Sequence, residues 1–311
     1  MPKIIALTGA TGFIGQHVVH RLLRAGLQVK ILVRSPQKEE NLKRFLGSLG
    51  LSSRILSVHG SLEDKEALKE LLNGTEAVVH LAGAIRGADF EEFGHVNVKG
   101  FWRLLSFWQG KTPFLYVSSL AARHPYLSPY ATSKRIGEEI LRGQKGPWTI
   151  FRPPAVYGPG DRELLPLIRL MWQGVLLVFG KEDHRFSLLH VEDLAEAVLC
   201  WLQNPKTQRT YELHDGKIGG YSWRELSEIV TNLRKRPVKV VKVSRRALFS
   251  VSYLAVFWGQ LLRKSPMLTP GKVNELFHYH WVCDNTLIEK DLGWKPRFNL
   301  EKGLRSLGLK V

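Results

Sequence analysis

The eight residues TGATGFIG, Thr8 to Gly15, restrict this chain more than any other stretch. They follow the apolar run KIIAL and open the amphipathic stretch IGQHVVHRLLRAG, so a glycine turn joins a strand to a helix. The glycines have separable jobs. Gly9 allows the tight turn, Gly12 lets backbone approach a pyrophosphate, and Gly15 lets the helix lie close on the sheet. The helix start then directs its N–H groups and dipole at phosphate. The stretch predicts that a dinucleotide docks here, but it does not give the chemistry.

The rest of the chain continues the same rhythm. The runs QVKILVR, SRILSVHG, EAVVHLAG, PFLYVSS and WTIFRPP end in small or polar residues, with amphipathic stretches such as KEALKELLNG between some of them. This pattern is that of strands and crossover helices in an α/β, doubly wound parallel sheet. Residues 1–150 are expected to form the cofactor-binding core. Residues 151–311 complete it and build a smaller C-terminal substrate lobe. Ligands of such sheets bind beyond the carboxyl ends of the strands, which is where each polar motif below falls. Two cysteines without CxxC spacing indicate neither a disulfide framework nor a metal site. The start MPKIIALTG runs directly into the turn without the apolar region of a signal peptide, so a cytoplasmic location is expected.

The second strand reports cofactor choice. An acid at its end would bind a ribose 2′-hydroxyl, whereas arginine accommodates a 2′-phosphate. Here VKILV ends in Arg34, followed by Ser35 and then Lys38. NADP is therefore favoured over NAD, although the same guanidinium can stack on the adenine of NAD.

The stretch YVSSLAARHPYLSPYATSK carries the reactive groups. Tyr130 and Lys134 stand four residues apart on one helix face. A neighbouring ammonium is expected to lower the tyrosine pKa and make the phenol a usable acid or base. Ser119, at the end of a strand, can orient a substrate oxygen, and Ser118 is its alternative.

Taken together, TGATGFIG, HLAG, VNVKG, VSS, YATSK, RPPAVYGPGD and HVEDLA resemble the extended short-chain dehydrogenase/reductase superfamily. More narrowly, they resemble the NAD(P)-dependent epimerase/dehydratase family, with its dihydroflavonol-reductase-like and 3β-hydroxysteroid-dehydrogenase-like relatives. The resemblance covers most of the chain and implies a Rossmann-type sheet. It also implies that Thr11, Phe13 and Ile14 belong to the phosphate turn. Leu81, Ala82 and Gly83 would pass under the cofactor ribose, and Pro153, Ala155 and Val156 would meet the carboxamide. Tyr130 would be the acid/base, Lys134 would also hold the nicotinamide ribose, and Ser119 would be the catalytic serine. Asn97 matches a site-organising asparagine and equally fits an ordinary helix position. Two departures stand out. Ser61 replaces the acid that meets the adenine amine, which leaves Leu62 to pack there. The short RHPYLSP removes a wall of the typical sugar-nucleotide pocket. His190 and Asp193 of HVEDLA, and Asp284, Leu292, Gly293 and Trp294 near the end, read as architecture.

Lysine and arginine number 45 against 28 acids, a formal charge of +17, which calls for an anionic partner. From Thr231 through Gly271 there is no acid at all. Within that stretch the apolar, basic-flanked segment 245–264 is too short to span a bilayer reliably. Its composition suits a helix lying against an anionic membrane, a cover for a hydrophobic substrate, or a homodimer contact. No nucleic-acid-binding motif accompanies it.

The sequence thus predicts an NAD(P)-dependent oxidoreductase, NADP-preferring, that moves a hydride between nicotinamide and a hydrophobic secondary alcohol or ketone. A nucleotide-sugar epimerase or dehydratase with tightly bound cofactor is the first rival. A non-catalytic cofactor-binding assembly or sensor protein is the second.

Overall fold

The computed structural model describes residues 3–47, 50–262 and 265–309. The six apolar runs fold as β1 (Ile4–Thr8), β2 (Gln28–Val33), β3 (Ile55–His59), β4 (Ala77–His80), β5 (Phe114–Val117) and β6 (Trp148–Arg152). Helices α1 (Phe13–Arg24), α2 (Pro36–Gly47), α3 (Lys65–Leu72), α4 (Phe90–Gly94), α5 (Phe101–Trp108) and α6 (Pro129–Arg142) lie between them. The chain continues through β7 (Ala155–Tyr157), α7 (Leu165–Gln173), β8 (Val175–Phe179), β9 (Arg185–Phe186), β10 (Leu188–His190), α8 (Val191–Gln203) and β11 (Arg209–Glu212). It ends with β12 (Tyr221–Ser222), α9 (Trp223–Arg234), β13 (Lys239–Val243), α10 (Arg245–Leu261), α11 (Pro270–Phe277), β14 (His280–Trp281), α12 (Thr286–Leu292) and α13 (Leu300–Ser306).

Seven strands form one sheet in the order β11-β6-β5-β4-β1-β2-β3, and every neighbouring pair is parallel. Strand order reverses between β1 and β4, which opens the ligand crevice at their carboxyl ends. Side-chain alternation explains why both faces are covered. Ile5 and Leu7 of β1 enter a core with Val19, Leu22 and Trp201, while Ala6 enters a second core with Leu71, Leu104 and Tyr116. The seventh strand, β11, reads RTYE and buries only Tyr211 completely. Such a polar edge strand leaves no apolar run for sequence reasoning to find.

Local chemistry sets the element ends that matter for the site. Ser128 accepts a hydrogen bond from the Ala131 N–H at 3.0 Å, and Pro129 starts α6 with its φ already fixed, so Tyr130 stands in the first turn. The bidentate Arg21–Glu196 pair, with one contact at 3.0 Å, ties α1 to α8. A third core, with Met171, Leu176, Val230 and Leu304, packs the C-terminal elements together. Arg263 and Lys264, the second basic flank of the 245–264 segment, lie outside the described residues.

Candidate active site

The glycine turn is shaped by what cannot fit in it. Gly9 has φ +77°, and a Cβ there would lie 2.6 Å from the Ala82 nitrogen. A Cβ on Gly15 would lie 2.1 Å from the Gly9 carbonyl oxygen, so α1 can approach the turn only without a side chain. Gly12 caps α1 with extended backbone and offers no side chain to the exposed N–H groups, and the first turn has no acid. These features fit a dinucleotide pyrophosphate: bare donors, a positive dipole end, and room for close approach. At the floor of the crevice Thr8 Oγ1 bonds His80 Nδ1 at 2.7 Å and accepts from the Ala82 N–H at 3.3 Å. Burial drives the His80 pKa down to about 3, so the ring is neutral.

The segment after β4 is clamped from below. One turn of π-helix at His95–Gly100 turns Asn97 inward. Its Oδ1 accepts from the Ala84 N–H at 2.7 Å, and its Nδ2 donates to the Ala84 carbonyl and to Ser133 Oγ. A Cβ on Gly83 would come within 3.4 Å of Lys134 Nζ, so Gly83 lies over α6. Asn97 therefore ties the crevice floor to α6.

The two serines separate by environment. Ser118 is buried and donates to Glu138 at 2.7 Å, inside an ionic cluster that Arg142 and Arg152 complete. Ser119 lines a cavity together with Tyr130, accepts from the Ala121 N–H at 3.2 Å, and pulls the Tyr130 pKa down. Lys134 is buried, donates to the Val117 carbonyl at 3.0 Å, and sits 5.0 Å from the centre of the Tyr116 ring. Burial pushes its pKa down to about 8, against the pull of Glu138.

One sequence expectation is corrected here. The Tyr130 pKa is raised rather than lowered. Burial is the largest cause, Glu275 adds to it, and Ser119 and Lys272 oppose it. The Lys134 ammonium points to the Val117 carbonyl and is not among the groups that set this shift. Lys272 and Glu275 of α11, which the sequence reading missed, instead flank the phenol. Lys272 pairs with Glu275 at 2.9 Å, and Glu275 accepts from Ser128, the residue that caps the Tyr130 helix.

Tyr130 and Ser119 stand in the wall of a cavity of about 410 Å³. Its remaining wall comes mainly from residues beyond 150, with Leu164, Met171, Phe179, Phe186, Trp223, Leu276, Trp281 and Leu304 among the lining side chains. Charged groups in that wall are already engaged: Arg185 bonds Glu225 and the Gly219 and Gly220 carbonyls, and Lys272 bonds Glu275. His278 is held neutral, its pKa pushed down to about 4 by burial.

The model of the NAD dependent epimerase/dehydratase family matches residues 5–214. The chain belongs to the NAD-dependent epimerase/dehydratase family. It is similar to a ceramide reductase of Caulobacter vibrioides, 33% identical over 96% of this chain and 92% of the relative. It is also similar to the mitochondrial NADH-ubiquinone oxidoreductase 40 kDa subunit of Neurospora crassa, 26% identical over 93% of this chain and 74% of that one. The UDP-glucuronic acid 4-epimerase of Bacillus cereus, solved with UDP-glucuronic acid and NAD, has the same fold. Its TM-score is 0.73, with 20% identity, and the match covers 98% of this chain and 97% of that one. The protein is thus an NAD(P)-dependent enzyme of the extended short-chain dehydrogenase/reductase type.

Other expected family positions fall around the same crevice. Thr11, Phe13 and Ile14 lie in the turn and at the start of α1, with Phe13 edge-on to His17. Leu81 and Ala82 follow β4 directly and are partly buried. Pro153 accepts from the Leu120 N–H at 2.8 Å, and Ala155 and Val156 line the cavity. Arg34 and Lys38 are exposed beyond β2, and their side chains have no partner among the described residues. The nearby acid, Glu39, is buried and bonded to Ser57 and Lys43, which takes it out of competition for a ribose hydroxyl. Ser61 accepts from the Glu63 N–H at 3.1 Å, and Leu62 packs in the second core.

HVEDLA is tied to the C-terminal segment around Arg297 and Phe298. His190 stacks on Phe298 at 4.1 Å, and the Asp193 carboxylate accepts from the Arg297 and Phe298 N–H groups, both at 2.9 Å. Trp294 donates to the Asp193 carbonyl, and Gly293 closes α12 with φ +64°.

Proposed function

We propose that the protein reduces a ketone carried on a long-chain, ceramide-like lipid, with NADPH preferred. The observation that carries this reading is the cavity itself: Ser119 and Tyr130 project into a space walled largely by apolar side chains. Binding there would be driven by burial of a hydrophobic chain, worth about 25 cal/mol per Å². The similarity to a ceramide reductase over nearly the whole chain supports a lipid as that chain. A nucleotide sugar would need cations for its diphosphate, and Arg185 and Lys272 in this wall are already paired.

In this reading Gly9, Gly12 and Gly15 hold the pyrophosphate, and Arg34 with Lys38 meet the 2′-phosphate. Leu81 to Gly83 and Pro153 to Val156 border the nicotinamide half, and residues 151–311 supply most of the substrate lobe. When bound, the reduced nicotinamide supplies the hydride that adds to the carbonyl carbon. Ser119 donates to the carbonyl oxygen and fixes its position. Tyr130, kept protonated because burial raises its pKa, gives its proton to that oxygen as the alcohol forms. Lys134 holds the ribose beside it. The protein is further proposed to work against an anionic membrane, the source of its lipid.

The test combines purified protein with NADPH or NADH and a keto-ceramide in mixed micelles. Loss of reduced-nicotinamide absorbance should accompany a product two hydrogens heavier by mass spectrometry. Tyr130→Phe should lower turnover by at least ~10²-fold while cofactor binding persists. Undiminished turnover in that variant would overturn the assignment. Interconversion of a nucleotide sugar without net cofactor use would replace the reading with the epimerase one.

A further inference from the structure

Helix α10 presents its apolar side chains to the outside. Val251, Tyr253, Leu254, Phe257, Trp258 and Leu261 are each between 52% and 63% exposed. Positions 251, 254, 258 and 261 recur at three- and four-residue steps, with 253 and 257 beside them, so the six share one broad face. The opposite face packs inward. Ser252 is buried and bonds the Phe249 carbonyl at 2.7 Å, with Leu248, Ala255, Val256 and Gly259 partly covered beside it. This reverses the usual arrangement of a surface helix, whose outer face is polar. None of the six outward residues lines the substrate cavity, so they do not serve as its wall.

We propose that this face of α10 lies in the interface of an anionic lipid bilayer, parallel to its surface, and brings the cavity mouth against the membrane. The charge around it selects the partner. Arg245 and Arg246 open the helix, and Lys235, Arg236, Lys239 and Lys242 precede it, with no acid between Thr231 and Asn274. Lys242 alone of these six is paired with an acid, Glu182, among the described residues. Cations in and just before a helix with such an aromatic and aliphatic face suit anionic headgroups above acyl chains. A two-fold contact between two copies would instead bring like charges together, since such an interface meets its own residues. No helix among the described residues is long and apolar enough to cross a membrane, so α10 would lie in the interface.

The link to the cavity is structural. α10 packs on α11, and the Arg245 guanidinium lies over the rings of Phe249 and Phe277 at 5.6 and 5.9 Å. The segment between the two helices supplies Pro266, Met267 and Thr269 to the cavity wall, and α11 supplies Lys272 and Leu276. A bilayer against α10 would therefore sit beside the elements that border the substrate path. The purpose of this surface rests on the lipid-reductase reading, whereas its location rests on α10 alone.

Sedimentation of the full chain with vesicles tests it. Vesicles of phosphatidylcholine with about one-third phosphatidylglycerol should bind at least ~10-fold more tightly than phosphatidylcholine alone. The combined Leu254→Ser, Phe257→Ser, Trp258→Ser variant, altered only at exposed positions, should weaken binding by at least ~10-fold. Arg246→Glu with Lys239→Glu should do the same and remove the dependence on anionic lipid. All three chains should reduce a short, water-soluble ketone equally, while the variants should lose turnover of vesicle-borne substrate. If the wild-type chain stays in the supernatant with both vesicle types, the docking surface is refuted. It is refuted equally if the serine variant abolishes a concentration-dependent dimer and leaves vesicle binding intact. If vesicles bind but no ketone consumes cofactor, the surface stands and the reductase reading fails.

Discussion

Lys134→Met should inactivate the enzyme and at the same time stabilise its folded state. Burial holds the Lys134 pKa down to about 8, against about 10.4 for a free lysine, so carrying the ammonium at pH 7 costs the fold roughly 3 kcal/mol. Methionine fills much of the same volume without charge. It forfeits the hydrogen bond to the Val117 carbonyl, which offsets about 1 to 2 kcal/mol of the gain. The Glu138 carboxylate keeps Arg152, Arg142 and Ser118 as partners. The net expectation is a variant about 1 to 2 kcal/mol more stable than wild type at pH 7. The pH dependence is the sharper signature. Between pH 8 and about 10 the unfolded chain holds the lysine proton more tightly than the folded one, so wild-type stability rises with pH, by up to about 1.4 kcal/mol per unit from this group. The variant lacks that contribution, and its advantage should shrink through the same window. The buried tyrosines with raised pKa values oppose the trend equally in both chains and cancel in the difference. Urea titrations of both proteins by tryptophan fluorescence, at intervals from pH 7 to 10, give the comparison. A variant less stable than wild type at pH 7, or a stability difference that does not change with pH, would refute the reasoning.

Three further outcomes follow from the same geometry. Gly15→Ala forces a Cβ to within 2.1 Å of a backbone oxygen, so cofactor affinity measured by fluorescence quenching should fall at least ~10-fold, about 1.4 kcal/mol. Arg34→Glu should reverse the cofactor preference, weakening NADPH and sparing or strengthening NADH in paired titrations, because a carboxylate repels a 2′-phosphate and accepts from a 2′-hydroxyl. Lys272→Met removes a cation that lowers the Tyr130 pKa and leaves Glu275, which raises it, without its lysine partner. In the alcohol-oxidation direction, where the phenol must first lose its proton, the rising limb of kcat should move to higher pH, with NADP affinity unchanged.

The parts of the site legible in the sequence are those whose chemistry is local. A turn that needs φ +77° at Gly9 and no Cβ at Gly15 admits almost nothing but glycine, and so it appears in the sequence. Tyr130 and Lys134 are one helical turn apart in the chain, and Ser119 lies just past a strand of unmistakable apolar character. The sequence resolves the paired serines less well, because only tertiary packing shows that Ser118 faces Glu138 and Ser119 the cavity. The direction of the Tyr130 shift escapes the sequence for a related reason. Spacing puts Lys134 on the right face but does not reveal that its ammonium points to Val117 or that burial dominates at the phenol. Lys272 and Glu275 lie in PGKVNELF, an ordinary amphipathic stretch, and reach the site through a contact with Ser128 made across 147 positions of chain. No local pattern encodes such a contact.

Helix α10 shows how the two kinds of information combine. Its composition is plain in the sequence: aromatic and aliphatic residues, arginines at the entry, and no acids across a long stretch. Composition alone leaves cover, dimer contact and membrane contact open, because each buries apolar surface. The structure turns that face away from the cavity, which removes the first reading, and the acid-free basic stretch that leads into the helix disfavours the second on Coulombic grounds. A cavity that binds by apolar burial and an exposed apolar helix beside its wall then point to one physical requirement. A substrate that prefers the cavity to water also prefers the bilayer to water, so an enzyme acting on it gains from opening where the substrate already resides.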